Sequence, residues 1–241
     1  CMLSDLFNYV VGEFAKSPFV VYVLLAIEAL LILAYFYLPK YLAKFQSKSE
    51  YTILSQPVSL TNKTYVSSLQ NVYLKTGSKL KSGVGTTYTL SMWFYVIGMP
   101  TSQYPYNDNA IIFALTDSAG NGHPKIMYNG AKNKCVIQYD THSLETGEPK
   151  PSPPFELKIP LQKWVHFVSV YDSENIDFFV NGKLEKSVKR KWNVHNLPDD
   201  TITVGQENGL QGKICNIMHY TRALTKMEVE MLYSLNKNSD L

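Results

Sequence analysis

Hydrophobic positions along the chain fall into three successive patterns. Residues 19–38 form an unbroken apolar run whose one charged side chain is Glu28. Upstream of it, within residues 1–17, apolar residues recur at helical spacing between polar ones. Beyond about residue 55, short segments rich in β-branched and aromatic residues alternate with turn-forming residues. We therefore expect an amphipathic helix, an apolar helix and a β-rich domain, in that order.

The apolar run predicts a single transmembrane helix over residues 18–39. Twenty residues, at about 1.5 Å rise per residue, span roughly the 30 Å of a bilayer's hydrocarbon core. Residues 1–17 would then lie in the membrane interface or continue the span, and residues 40–54 would form a linker. Glu28 lies near the middle of the run, where a carboxyl group must be neutralised or paired, so we expect it to mark a helix–helix contact in the membrane.

Lysine placement predicts how the chain is oriented in the lipid bilayer. Three lysines follow the run, at positions 40, 44 and 48, whereas Lys16 alone precedes it. Because the lysine-rich flank stays in the cytosol, we expect a single-pass protein whose large C-terminal part is cytosolic. A glycosylation sequon at residues 62–64 argues the other way, although one such sequon is expected by chance in this length. The chain begins with Cys1 instead of Met, which suggests a fragment of a longer protein.

The region from residue 55 to residue 241 is expected to be one β-sandwich. Strand-like segments occupy residues 88–96, 110–115, 135–139, 164–171 and 176–180. The dipeptide at 181–182, Asn-Gly, predicts a tight hairpin turn into a further strand over residues 183–188. A single late helix is predicted at 225–235, where Met227, Met231 and Leu235 share one face. Many strands with one late helix are typical of a sandwich.

Composition excludes several classes of protein. Hydrophobic residues make up 45% of the 241 residues and charged residues 18%, which excludes a disordered chain. The net charge of +3 is too small to indicate a nucleic-acid partner. The three cysteines, Cys1, Cys135 and Cys215, are odd in number and widely spaced, which excludes a disulfide scaffold and a paired-cysteine zinc site. We expect Cys135 and Cys215 to be reduced thiols.

An ordered set of short motifs resembles the concanavalin A-like lectin/glucanase superfamily, and its laminin-G-like branch in particular. The motifs lie at residues 90–94, 163–167, 179–183, 203–205, 212–214 and 220–224. The resemblance implies a mainly β jelly roll of two curved antiparallel sheets, often with a binding face on the concave sheet. Within such a sandwich we expect Trp93 and Trp164 to fill the core and Gly212 to permit close packing.

Catalytic and metal-binding patterns of the superfamily are missing from the sequence. The glucanase branch carries Glu-x-Asp-x-x-Glu on one strand, and residues 174–177 have the wrong spacing for it. Asp117, Asp140 and Asp172 are calcium-ligand candidates by residue type only, and capping of turns is the more frequent role of such residues. The five histidines show no metal-binding spacing. We therefore expect a protein that is not an enzyme and needs no cofactor or metal.

Two surface segments are candidates for contact with a partner. Residues 183–191 are strongly basic, and the candidate contacts there are Lys186, Lys189, Arg190 and Lys191. The segment is either a solvated hairpin arm or a docking site for an acidic partner or anionic head groups. The loop at residues 99–109 places Tyr104 and Tyr106 beside amide side chains. That composition is typical of sugar- or protein-contacting loops, and also of an ordinary irregular loop.

These features support two hypotheses on function. The first is a non-enzymatic structural protein whose jelly roll docks a protein layer to a membrane. In that arrangement the chain is similar to minor capsid proteins of large DNA viruses with an internal membrane, and its partners would be capsid proteins and the lipid bilayer. Its place would then be the inner membrane and capsid of a virion. The alternative is a membrane-anchored, lectin-like module that binds a glycan.

Overall fold

A computed structural model describes the chain at residues 12, 18–46, 50–68, 71, 87–100, 109–116, 122–142, 149–151, 153–189 and 200–237. The chain divides into two compact units, residues 1–48 and residues 49–241. The amphipathic helix predicted for residues 1–17 lies outside the described residues, apart from Gly12.

The first unit contains helix α1, Pro18–Gln46. The helix continues past Pro39, where the sequence predicted that it would stop. A proline removes only one backbone hydrogen bond, and the residues after it include good helix formers such as Lys40, Leu42 and Ala43. In the segment expected to be a linker, residues 40–54, the described residues therefore belong to the end of α1 and to strand β1, Glu50–Leu54.

Helix α1 is apolar along most of its length, and its described side chains except that of Ala34 are exposed, including Phe19, Leu24, Leu30 and Leu31. No helix in the described part of the chain is long and apolar enough to cross a membrane, so the span predicted for residues 18–39 is not found there.

The second unit is built from two antiparallel sheets. Its strands after β1 are β2 (Val58–Ser59), β3 (Thr64–Ser68), β4 (Tyr88–Pro100), β5 (Asn109–Thr116), β6 (Gly122–Asn129), β7 (Lys134–Gln138), β8 (Asp140–His142), β9 (Pro149–Pro151), β10 (Phe155–Leu157), β11 (Trp164–Tyr171), β12 (Asn175–Val180), β13 (Lys183–Lys189), β14 (Thr201–Val204) and β15 (Leu210–Tyr220). Helix α2, Lys226–Asn236, follows them. The predicted strands and the late helix are confirmed, and the fold is a mainly β sandwich of jelly-roll type.

The strand order shows which strands lie at the sheet edges. In the described residues the seven-stranded sheet A runs β1-β15-β4-β11-β12-β13, with β2 also paired to β15. The six-stranded sheet B runs β10-β7-β6-β5-β14-β3, and β8 pairs with β9 in a separate ribbon. Strand β13 therefore lies at one edge of sheet A.

Apolar side chains from both sheets meet in one core between them. Phe94, Phe167 and Phe178 of sheet A and Phe113 and Ile126 of sheet B are among its fully buried members. Sheet A also buries its opposite, outer face. There Val168, Val170 and Phe179 pack with Val229 of α2 in a second, smaller cluster. Every residue of β11 from position 165 to position 171 is consequently buried.

The two tryptophans expected in the sandwich core lie on the outer face of sheet A instead. Trp93 pairs with His166, and Trp164 pairs with Tyr95, whereas the neighbouring Phe94 points into the core between the sheets. Successive residues of a strand face opposite sides, so the placement of Phe94 inside requires Trp93 to lie outside. Trp93 is nevertheless buried, because helix α2 covers it.

Gly212 allows β15 to approach β4 closely, as predicted. A Cβ atom at this position would clash with the carbonyl oxygen of Tyr95 and would lie 3.3 Å from a methyl carbon of Leu60. Gly98, on β4, has open space where its Cβ would be.

We expect Gly212→Ala to destabilise the sandwich by about 3 kcal/mol or more, because the backbone of β4 must move to admit the methyl group. Urea unfolding of the full chain in a non-ionic detergent, followed by tryptophan fluorescence, measures the change. Gly98→Ala is the matched control and should change the free energy of unfolding by less than about 1 kcal/mol. Equal stability of the two variants would show that the β4–β15 approach is not tight.

Candidate interaction surface

The turn before β13 is held rigidly in place. Asn181 and Gly182 have positive φ angles of 52° and 78°, which suits the tight turn predicted from this dipeptide. The Asn181 side chain accepts a hydrogen bond from the His166 backbone N–H at 3.0 Å, and the Asn181 N–H donates to the His166 carbonyl at 2.8 Å. A Cβ on Gly182 would lie 3.2 Å from the Tyr233 ring of α2. The turn is therefore wedged between β11 and α2.

Strand β13 presents lysines at the edge of sheet A. Lys183, Lys186 and Lys189 are exposed, as is Leu184, and Glu185 is the one acidic residue of the strand. We call the seven residues of this strand, Lys183–Lys189, the basic edge.

The three lysines project on both faces of sheet A. Lys183 lies opposite Val180 and Lys186 opposite Phe178, and both of these partners point into the core between the sheets. The register shifts between Phe178 and Phe179, so Glu185 is the extra residue of a bulge. Lys189 lies opposite Asn175, one residue before the inward-facing Ile176, and so projects from the outer face.

Helix α2 is fixed by a charged cap at its N-terminus. The Glu228 carboxylate accepts hydrogen bonds from Arg222 at 3.0 and 2.5 Å and from the Thr225 N–H at 2.7 Å. The Glu228 N–H donates to Thr225 Oγ1, which completes a capping box. The Arg222 guanidinium is the main reason that the pKa of Glu228 falls to about 2, and the Thr225 hydrogen bonds lower it further. The cap therefore keeps Glu228 ionised well below pH 4.5, where an ordinary glutamate carboxyl group becomes protonated.

A buried polar cluster lies beneath α2. The rings of Trp93 and His166 stack at 4.8 Å, and the Tyr233 ring lies 5.9 and 6.1 Å from them. Ser91 Oγ is 2.9 Å from His166 Nε2, while His166 Nδ1 has no hydrogen-bond partner among the described residues. Burial lowers the pKa of His166 to about 4, so the ring is neutral at pH 7. With His166 only 1% exposed, this serine–histidine pair cannot meet a substrate.

The predicted contact residues are only partly described. Lys186 and Lys189 lie on the basic edge, close together in one strand. Arg190, Lys191, Tyr104 and Tyr106 lie outside the described residues. Glu28 lies in α1 and is exposed there.

The described residues contain no group of three histidine, cysteine, aspartate or glutamate side chains that could hold a metal ion. Asp172, a calcium-ligand candidate, caps a turn instead by accepting a hydrogen bond from the Ser173 N–H at 2.7 Å. Asp117 lies outside the described residues, as does the side chain of Asp140. His166 and His219 are both buried, and burial lowers the pKa of His219 to about 4 as well.

Both described cysteines are free and buried. Cys135 belongs to the core between the sheets, whereas Cys215 pairs with Trp93 on the outer face of sheet A. Burial raises the pKa of Cys135 to about 12 and that of Cys215 to about 11. The two thiols are therefore separated by sheet A and are poor nucleophiles at neutral pH.

Two features of the surface were not predicted from the sequence. Lys183 belongs to the basic edge, although the first contact residue predicted in this segment was Lys186. The strand pairing shows that all three lysines lie on an edge strand, which the sequence alone does not. The face shared by Met227, Met231 and Leu235 is exposed, while Val229 on the other side of α2 packs against the sheet. An apolar face at helical spacing predicts burial, and no signal in the sequence marks this one as exposed.

Similar solved structures are binding domains of clostridial toxins. The botulinum neurotoxin serotype G binding domain matches with a TM-score of 0.53 at 17% identity, covering 76% of this chain and 45% of that one. The binding domain of botulinum neurotoxin DC, solved with rat synaptotagmin II, matches with a TM-score of 0.54 at 14% identity, covering 80% and 47%. The binding domain of Paraclostridial Mosquitocidal Protein 1 matches with a TM-score of 0.51 at 17% identity, covering 66% and 39%. The chain thus spans less than half the length of these domains, and at such identities the likeness shows the fold alone.

These neighbours share the lectin-like sandwich fold of this chain. The family described as the concanavalin A-like lectin/glucanases superfamily matches residues 68–230, which is more than half of the chain. The chain belongs to this superfamily, as the ordered motifs predicted. A comparison with curated proteins finds no match.

We expect Glu228→Gln to destabilise the chain by about 2 kcal/mol at pH 7, since it removes the charge that Arg222 binds but keeps a side chain able to cap the helix. The folded-state pKa of Glu228 lies below the ordinary value of 4.5, so its contribution is present above that value and is lost as the pH falls towards about 2. Urea unfolding of both proteins at pH 7 and pH 3 should show the difference shrinking in acid.

Glu230→Gln is the matched control for this prediction. Within the described residues the Glu230 side chain forms an exposed ion pair with Lys226, at 3.7 Å, and its substitution should cost less than about 0.5 kcal/mol. A Glu228→Gln effect that is no larger than the control, or that does not depend on pH, would contradict the assigned cap.

Proposed function

We propose that the chain is a non-enzymatic binding module that α1 holds at a lipid membrane and that contacts its partner through the basic edge. The observation that carries the proposal is the basic edge itself, an exposed strand with three lysines at a fixed end of sheet A. The superfamily and its structural neighbours support an interaction role, since those neighbours are themselves binding domains. The positive charge of the three lysines suits a docking surface for an acidic partner.

The membrane part of the proposal rests on the surface of α1. Thirteen large hydrophobic side chains among the described residues of this helix are exposed, including Leu24, Ile27, Leu30 and Leu31. Water-exposed apolar surface of this extent is unfavourable, and contact with lipid removes it. We therefore propose that α1 embeds in a membrane, with Glu28 paired with a second helix there.

Replacing Leu24, Ile27 and Leu31 together with lysine should release the chain from membranes. Each lysine placed in the hydrocarbon region costs about 2.5–3.5 kcal/mol, so the membrane-bound fraction should fall at least about a hundredfold. Flotation of the full chain with phosphatidylcholine liposomes measures this fraction. Lysine at Met227, Met231 and Leu235, which are also exposed apolar positions on a helix, is the control and should leave flotation unchanged. If the first variant still floats, α1 does not anchor the chain.

We propose further that the sandwich lies on the cytosolic side of the membrane, as the lysines that follow residue 39 predict. Asn62 provides the test, because it is exposed in the segment between β2 and β3. In a eukaryotic cell expressing the chain, glycosidase treatment is expected to leave the mass of both the wild type and Asn62→Gln unchanged. A glycosidase-sensitive mass shift that is lost in Asn62→Gln would place the sandwich in the lumen and reverse the proposed orientation.

Two partner classes are compatible with such a module. A protein layer docked to a membrane, as in a minor capsid protein, fits a basic edge presented on the cytosolic side. A glycan is the second candidate, because one similar structure is described with N-acetylneuraminic acid and another by its interaction with two ganglioside molecules. A charge reversal on the basic edge tests the first class, since it should abolish binding of an acidic protein. Because N-acetylneuraminic acid is itself anionic, competition by free N-acetylneuraminic acid separates the two classes: it should displace a bound glycan and leave an acidic protein bound.

A further inference from the structure

The basic edge has the geometry of a strand that can accept another strand. In the described residues it is the last strand at one side of sheet A. Six of its seven side chains are exposed, and Val188 is half-buried. An edge strand presents backbone N–H and C=O groups along its outer side, and these can pair with an extended segment of another chain. Seven residues of strand extend about 23 Å, which is enough to pair with a segment of similar length.

The charge of the basic edge decides which segment it can accept. Two antiparallel copies of this strand can pair all seven residues in one register only, which is centred on Lys186. In that register Lys183 of each copy would lie opposite Lys189 of the other. Lys186 would face its own counterpart. Like charges directly opposite each other destabilise a strand pair, so a second copy of this chain is a poor occupant. An acidic segment would instead place a negative charge opposite each of the three lysines.

The face on which each lysine projects constrains the acidic segment further. The bulge at Glu185 places Lys183 and Lys186 towards the inner face of sheet A and Lys189 towards the outer face. Because the residues of an added strand also alternate between faces, carboxylates are needed on both faces of that strand. The segment that fits therefore carries at least two acidic residues an odd number of positions apart, such as three, and not only acidic residues at every second position.

The basic edge is also rigid before any partner arrives. Its turn is hydrogen-bonded to His166 on β11 and packed against Tyr233 of α2. Six residues of the strand are in register with β12, from Lys183 opposite Val180 to Lys189 opposite Asn175. A preformed strand loses little conformational freedom on binding, which favours a short peptide as ligand.

We propose that the basic edge binds an extended acidic peptide segment as an additional strand of sheet A. This inference deepens the proposed function by naming the mode and the chemistry of the contact, and it rests on that function for its biological setting. Exposed lysines on edge strands also protect proteins against unwanted pairing. A purely protective role predicts no peptide binding, and so the experiment below distinguishes the two roles.

The test measures binding of a fluorescent, capped peptide of about eight glutamate and threonine residues to the full chain in a non-ionic detergent. A second peptide has the same sequence with alternate backbone nitrogens methylated, prepared in both registers. Methylation removes backbone donors but keeps every charge. We expect at least about a tenfold loss of affinity in one register or both, as strand pairing requires. Equal binding of the methylated and unmethylated peptides would overturn the proposal in favour of attraction by charge alone.

Protein variants provide the second arm of the test. Lys183→Glu, Lys186→Glu and Lys189→Glu in one chain should weaken peptide binding at least about tenfold. The matched control reverses three other exposed lysines, Lys63, Lys158 and Lys163, and should leave the affinity within about twofold. Circular dichroism checks that both variants are folded. Equal affinities for the two variants, or no peptide binding by the wild type, would overturn the proposal.

Anionic lipid is the competing ligand for a basic surface, and a third arm addresses it. Phosphatidylserine vesicles should not compete with the peptide more strongly than phosphatidylcholine vesicles do. Displacement of the peptide by phosphatidylserine alone would assign the basic edge to the membrane and overturn the peptide proposal. Liposome flotation of the same chain is read separately, so failure of the membrane anchor and failure of the peptide site remain distinguishable.

Discussion

The structure of the second unit depends on the burial of sheet A on both faces. Strand β11 is apolar at successive positions, so its inner side chains, such as Phe167, need sheet B and its outer ones, such as Val168, need another cover. Helix α2 provides that cover, with Val229 in the outer cluster. If α2 were absent, Val168, Val170 and Phe179 would face water, at about 25 cal/mol for each Å² of apolar surface exposed.

The same double burial positions the candidate interaction surface. Because β11 and α2 are both fixed, the turn at Gly182 that lies between them is fixed as well, and so is the start of the basic edge. The buried His166 takes part in this arrangement through its backbone, which pairs with Asn181, and through its ring, which stacks on Trp93. The polar groups beneath α2 therefore have a structural role, and the surface that we propose for binding is the basic edge of sheet A.

Periodicity predicted the strands of the sandwich well but not their spatial relations. The apolar and aromatic runs at β4, β11 and β12 and the Asn-Gly turn identified these elements, because strand and turn preferences are local. The side on which Trp93 lies could not be predicted, since alternation gives a period of two without saying which face meets the second sheet. The edge position of β13 and the exposure of Met227 likewise follow from long-range pairing and packing. Helix α1 continues past Pro39, where the sequence predicted its end, because the loss of one backbone hydrogen bond did not stop it.

Hydrogen exchange of the β13 backbone amides, followed by NMR on the full chain in detergent, tests the central claim most directly. A preformed edge strand with an open outer side predicts an alternating pattern, in which amides that point to β12 exchange slowly and those that point outward exchange quickly. Uniformly fast exchange would show that the strand is not preformed, and uniformly slow exchange would show that its outer side is already covered. Either result would contradict the assignment of β13 as the binding edge of this protein.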